Sequence, residues 1–213
     1  MIALVDYGAG NLTSVRKALS ALGAEYQTPA TPEACAGMTG LIVPGVGHFD
    51  ATRALDDRWR AALVDAVRAG TPLLGICVGM QWLFEGSAEA PDVPGIGLLP
   101  GRCERLHGDG ARRLKVPHVG WNSLDAPPAP ARTHQGSTSR LMNGLAGGSQ
   151  VYFTHSFAAP VTEDCVAATT HVDTFAAAVE RDLVFGVQFH PEKSSDVGLH
   201  MLGNFLAVCA GGR

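Results

Sequence analysis

The stretch TPLLGICVGMQWLF, residues 71–84, constrains the fold more than any other part of the chain. Residues 72–76 form an apolar run that reads as a buried strand, and the residues after Cys77 read as a helix. Between them one cysteine stands with a glycine two positions away on either side. A chain that passes from strand to helix in so few residues must turn sharply, and Gly75 and Gly79 give the clearance such a turn needs against neighbouring backbone. G-x-C-x-G has the form of a nucleophile elbow, which pushes its middle side chain out of the turn. Cys77 would then sit at a helix N-terminus that favours thiolate, with the Val78 N–H directed at a developing oxyanion. The segment by itself is equally compatible with an inert buried thiol.

The flanking sequence predicts the scaffold. MIALVDY reads as a strand, GAGN as a turn and LTSVRKALSALG as a helix with a terminal glycine. AEYQT and GLIVPGVG are further strands, and DATRALDDRWRAALVDAVRAG is one long amphipathic helix. This alternation predicts an α/β fold: a doubly wound, mostly parallel sheet with helices on both faces. After Phe84 the runs GIGLLPG, KVPHVGWNSL, VYFTHSF, CVAATTHVDT and FAAAVERDLVFGVQFHPE, punctuated by Gly and Pro, predict short antiparallel strands added to one side. Residues 126–148 read as an exposed loop of little structural commitment. SSDVGLHMLGNFLAVCAGG reads as a closing helix with Ser194 or Ser195 as its cap. At 213 residues, with no repeat and no linker, the expectation is one domain over 1–213.

A net charge of −4 carries no electrostatic footprint for nucleic acid or an anionic membrane, and no apolar run approaches a membrane span or a signal peptide. A cytoplasmic location is expected. The cysteines at 35, 77, 103, 165 and 209 form no C-x-x-C pair, and the histidines at 107, 118, 134, 155, 171 and 200 have no ligand spacing. Disulfides, a metal and a cofactor are therefore not expected. DYGAGN, residues 6–11, matches neither phosphate-loop pattern and reads as a turn exposing Asn11 at the C-terminal edge of the sheet.

Two further segments bear on Cys77. In FGVQFHPEKS, residues 185–194, an alternating strand runs into His190, Pro191 and Glu192. A thiol nucleophile needs an imidazole, and the imidazole needs an acceptor on its other nitrogen; residues two apart on extended chain face the same side. Pro191 interrupts the strand, so an exposed strand end with a capping glutamate is the competing reading. In LIVPGVGHFD, residues 41–50, the glycines let backbone approach a ligand and present an N–H as a second oxyanion donor. His48 beside them reads as a loop or cap residue.

Taken in order, PGVGHF, GICVGMQ and FHPEKS resemble the class I glutamine amidotransferases, whose glutaminase domains carry a Cys-His-Glu triad. DYGAGN, PHVGWN, YFTHSF and the lysine of HPEKS are similar to the branch serving histidine biosynthesis, and the resemblance runs from about residue 2 to the last helix. It implies a flavodoxin-like fold and makes Cys77 the nucleophile on glutamine, His190 the proton relay and Glu192 its orienting group. The oxyanion donors it implies are Val78 and the turn at Gly45 and Val46, which in this family needs rearrangement to point inward. Gln81, Gly47, His155, Ser156 and Phe157 match substrate-binding positions. Where the family often has HSY or HTY this chain has HSF, so no hydrogen bond of a phenol at 157 carries over. The implied partner is a (β/α)8 barrel cyclase subunit that receives the ammonia, with Asn11, Trp121, Asn122, Tyr152 and Lys193 near the interface. Another amidotransferase subunit, a Cys-His hydrolase of other amides and a non-catalytic module on the same fold are the alternatives.

Overall fold

The computed structural model describes residues 1–109, 114–128 and 139–211. In chain order the strands are β1 (Ile2–Leu4), β2 (Tyr26–Gln27), β3 (Gly40–Gly45), β4 (Leu73–Cys77), β5 (Gly86–Ser87), β6 (Arg102–Arg105), β7 (His118–Leu124), β8 (Ser149–His155), β9 (Phe157–Ala158), β10 (Cys165–His171), β11 (Asp173–Arg181) and β12 (Val184–Val187). The helices are α1 (Leu12–Ala21), α2 (Asp57–Arg68), α3 (Val78–Leu83) and α4 (Ser195–Cys209). A seven-stranded sheet runs β10-β11-β12-β4-β3-β1-β2. From β12 to β2 every pairing is parallel, and β11 and β10 add antiparallel strands at one edge.

The expected doubly wound sheet with an antiparallel addition is thus present, and its centre is apolar on both faces as parallel strands require. Leu41, Ile42, Val43, Leu73, Leu74 and Ile76 are buried, as are Phe185 and Phe205, whose rings pack edge to face at 5.8 Å. A β7–β8 ribbon and a small β5-β6-β9 sheet complete the architecture. Among the described residues no helix is long and apolar enough to cross a membrane.

Three sequence expectations need correction. The long helix predicted from residue 50 is two pieces: a 3-10 turn, Phe49–Ala54, and then α2. Asp56 divides them because its carboxylate accepts from the N–H groups of Arg58 and Trp59, starting a new helix inside one amphipathic pattern. GIGLLPG is not a strand; Leu99 is buried from an irregular segment. The predicted loop 126–148 lies partly outside the described residues, but 139–148 is committed. Leu141 is fully buried, Arg140 pairs with the buried Glu180 at 2.8 Å, and Asn204 donates to the Leu141 carbonyl at 3.0 Å.

Candidate active site

The C-terminal ends of β3, β4 and β12 lie side by side, with Gly45 in register with Cys77. That edge is where parallel α/β sheets place their sites. Cys77 is the last residue of β4 and has φ 54° and ψ −110°, a left-handed backbone that a residue with a Cβ adopts only at a cost of about 1–3 kcal/mol. The turn closes because its glycines have no side chain: a Cβ on Gly75 would lie 2.6 Å from the Gly79 carbonyl oxygen, and one on Gly79 would collide with the Val43 carbonyl. α3 begins at Val78 directly after the strained residue, so the Val78 N–H is the first backbone donor of the helix that follows Cys77.

His190 follows β12, and its Nδ1 donates to Glu192 Oε1 at 2.8 Å, with both side chains 1 % exposed. Pro191 does not separate them: it starts a 3-10 turn that carries Glu192 back under the ring. The segment is bolted to β8, since His190 N–H donates to the Tyr152 carbonyl at 2.9 Å. Ser194 stands at the first position before α4 but does not cap it. Its hydroxyl donates to the His190 carbonyl at 2.6 Å and accepts from the Tyr152 N–H at 2.9 Å, which fixes the histidine instead. With Nδ1 committed to the carboxylate, His190 Nε2 is the free ring nitrogen, buried and without a hydrogen-bond partner among the described residues. Burial works against its charge, but the Cys77 sulfur and then Glu192 outweigh that and hold the imidazole well above the ordinary histidine range. The arrangement favours imidazolium, the form that can protonate a leaving amine.

The other cysteines have no such setting. Burial pushes Cys35 up to about 11 and Cys165 and Cys209 up to about 12, and raises Cys103 further, so these are protonated packing thiols.

Gln188, which sequence reasoning passed over, donates its Nε2 to Cys77 Sγ at 3.7 Å. Its signal was present: on the alternating run into His190 it is two residues away and faces the same side. Gln81 Nε2 donates both to Gln188 Oε1 at 3.1 Å and to the Phe157 carbonyl at 2.8 Å, while Gln81 Oε1 is buried and unpartnered among the described residues. Phe157 therefore takes part through its backbone, and the absent phenol is not required for this contact.

Of the two backbone donors expected to face an oxyanion, Val78 and Val46, the second is already engaged. The Val46 N–H donates to the Ala9 carbonyl at 3.0 Å, so it is held by the 6–11 loop. Gly47, with φ 90°, continues the turn, and His48 closes it by accepting from the Asp50 N–H. A cleft of about 470 Å³ is lined by Asn11, Val46, Gly47, Glu89, Pro117, Thr154, His155, Ser156 and Lys193. Neither Cys77 nor His190 lines it.

His155 belongs to a neutral hydrogen-bond chain. Its Nδ1 must carry the proton, because it is 2.9 Å from the Phe157 carbonyl, which only accepts. Its Nε2 then accepts from His118 Nδ1 at 3.1 Å, and His118 Nε2 accepts from Asn122 Nδ2 at 3.3 Å. Asn122, expected near a partner surface, is half-buried and also donates to the Thr170 carbonyl at 3.1 Å. Burial depresses His155 to about 3 and, with His171 stacked at 4.2 Å, His118 to about 4. As pH falls below the ordinary histidine value the unfolded chain takes up these protons first, so stability declines toward pH 4. For His155 alone the slope approaches about 1.4 kcal/mol per pH unit. Urea midpoints measured from pH 7 to pH 4 should fall in the wild type and fall less steeply in His155→Gln.

Trp121 and Val119 are 52 % and 57 % exposed on one face of β7, large apolar side chains in water. Trp121 meets the Tyr152 ring edge-on at 6.1 Å, and Lys193 Nζ lies 5.8 Å from the centre of that ring. Asn11 is the cap of α1, accepting from the Ser14 N–H, and also lines the cleft.

The buried His190–Glu192 pair and Cys77 on a parallel sheet are the arrangement expected of a glutaminase-type site, and the family model for class-I glutamine amidotransferases matches residues 3–209. Solved structures agree on the fold. A glutamine amidotransferase crystal structure superposes with a TM-score of 0.71 at 21 % identity, covering 99 % of this chain and 98 % of that one. The acivicin-bound glutaminase domain of Trypanosoma brucei CTPS gives 0.66 at 17 %, covering 100 % and 94 %. Sequence relatives narrow the placement. Imidazole glycerol phosphate synthase subunit HisH of Gloeobacter violaceus is 46 % identical over 98 % of this chain and 90 % of its own length. The Geobacillus kaustophilus subunit HisH is 45 % identical over 99 % and 98 %. The chain belongs to the class-I glutamine amidotransferases and, within them, to the family of the imidazole glycerol phosphate synthase subunit HisH.

Proposed function

We infer that the chain is the glutaminase subunit of imidazole glycerol phosphate synthase, hydrolysing glutamine to glutamate and ammonia for histidine biosynthesis. The observation that carries the reading is the buried His190–Glu192 bond beside Cys77 on the elbow. The thiolate of Cys77 attacks the side-chain carbonyl of glutamine, and the tetrahedral oxyanion forms against the Val78 N–H. Imidazolium His190 gives its Nε2 proton to the amide nitrogen, ammonia leaves, and a γ-glutamyl thioester stays on the sulfur. Water then attacks the thioester, His190 takes up its proton, and glutamate departs with the thiolate restored. Gln81 Oε1, the one unused acceptor of that side chain, the Gly47 backbone, and the backbone and side chains of His155, Ser156 and Phe157 serve the amino-acid head.

The second oxyanion donor is the Val46 N–H, which contributes after its peptide rotates away from Ala9. In the resting arrangement hydrolysis is therefore slow, and a partner that rotates this peptide switches it on. That partner is the (β/α)8 barrel cyclase subunit, which uses the ammonia to form imidazole glycerol phosphate and aminoimidazole carboxamide ribotide. Trp121, Tyr152 and Lys193, with the exposed Val119, form the docking face, Asn11 lies at its cleft edge, and Asn122 acts from beneath through His118. Direct passage between subunits keeps ammonia from protonating in bulk water, which suits a cytoplasmic enzyme of one domain over 1–213. Glutamate release should rise by about 100-fold or more when the cyclase and its nucleotide ligand are added, the scale set by one oxyanion donor. Equal turnover with and without the partner counts against the subunit assignment.

A further inference from the structure

One polar group beside the nucleophile is used by nothing described so far. Tyr7, in the 6–11 loop that follows β1, has its hydroxyl buried and without a hydrogen-bond partner among the described residues. A Cβ on Gly45 would collide with that oxygen, so it sits directly against the backbone of the oxyanion turn. Burial, then the field of the Cys77 sulfur, raise the phenol far above its ordinary range, so it keeps its proton and is a donor only waiting for an acceptor. Leaving such a group unpaired carries a desolvation penalty in the resting protein. A residue carrying that penalty beside a turn that must move calls for an account of what it meets after the movement.

The peptide joining Gly45 to Val46 supplies the acceptor. The C=O and N–H of one trans peptide point in opposite directions. The Val46 N–H now points to the Ala9 carbonyl of the 6–11 loop, so the Gly45 carbonyl points away from that loop. Rotating this peptide to bring the N–H toward the oxyanion turns the Gly45 carbonyl toward the loop. There it would face the Ala9 oxygen, acceptor against acceptor, unless a donor stood between them. We propose that Tyr7 is a positioning residue whose hydroxyl receives the Gly45 carbonyl when the oxyanion turn rotates, holding the Val46 N–H in its catalytic orientation. At rest the phenol is unsatisfied and the turn is satisfied by Ala9; after rotation the phenol is satisfied and the Val46 N–H is free for the oxyanion. The two states of one peptide are thereby balanced against each other by two groups of the same loop.

The proposal rests on the glutaminase reading, and its test separates the two. Tyr7→Phe removes only the hydroxyl. Glutamate release is measured for the complex with the cyclase subunit and its nucleotide ligand, alongside thermal melting of the free chain. Stimulated kcat should fall by about 10-fold, the scale of one lost hydrogen bond, while KM for glutamine stays within about 2-fold. Because the hydroxyl is unpaired at rest, the melting temperature should stay level or rise. That pairing of lost turnover with undiminished stability is what a merely structural tyrosine does not give. Unchanged stimulated kcat overturns the proposal. So does a kcat loss accompanied by a lower melting temperature, which marks a packing role, or by a raised KM, which marks a substrate contact. If the wild-type complex hydrolyses glutamine in a Cys77-dependent way while Tyr7→Phe is normal, the inference alone falls; if the wild type releases no glutamate, the underlying reading falls with it.

Discussion

Replacing Cys77 with alanine lowers glutamine turnover by at least about 10⁴-fold, the scale of losing a catalytic nucleophile whose partners cannot act without it. Glutamate release in the presence of the cyclase subunit measures the loss, and retained turnover ends the triad assignment. The other cysteines cannot stand in, because burial holds each protonated. Stability separates the chemistry from the architecture. Alanine keeps the Cβ at φ 54° and so keeps the strain of the elbow, whereas glycine at 77 releases it. Cys77→Gly should therefore unfold at higher denaturant than Cys77→Ala, by about 1 kcal/mol, although both are inactive. Equal stability of the two variants shows that the elbow stores no strain at this residue.

What sequence could and could not disclose divides along the distance over which each feature is determined. The elbow was legible because its cause is local: an apolar strand, two glycines and a helix within fourteen residues. The His190–Glu192 pair was legible from two-residue spacing, even though the structure joins them through a 3-10 turn and not along a strand. Gln188 was locally legible too, but an amide on a strand carries no chemical signal until a sulfur is placed opposite it. Contacts that depend on three-dimensional neighbours were hidden. Nothing in SSDVGLH indicates that the Ser194 hydroxyl turns back to His190 and β8 in preference to capping α4. The chain from Asn122 through His118 to His155 joins β7 to β8, and only their pairing, His118 opposite His155, makes it possible. Asp56 failed differently. Its capping role was available in the residue type, but the amphipathic pattern on either side masked the break.

A single methyl group at Gly79 should be as damaging as the loss of the thiol, for a reason that lies wholly in packing. The added Cβ would lie 2.8 Å from the Val43 carbonyl carbon and closer still to its oxygen, so it meets backbone of the central strand β3. A flexible side chain could move aside, but β3 is hydrogen-bonded to both β1 and β4 and cannot. The helix must yield instead. α3 is wholly buried, and Met80, Trp82 and Leu83 fill the space behind it, so moving it outward opens packing on one side and compresses it on the other. Gly79→Ala is expected to cost about 3–5 kcal/mol, the upper range for a single substitution that overpacks a core. Equilibrium unfolding in urea measures it, with Gly203→Ala as control, since a Cβ at Gly203 on α4 meets nothing within 4 Å. Any Gly79→Ala protein that folds should also turn over poorly, because α3 starts at Val78 and its displacement carries the first oxyanion donor away from Cys77. Wild-type stability in this variant would mean that α3 does not press on β3, and the physical account of why the elbow requires its second glycine would fail.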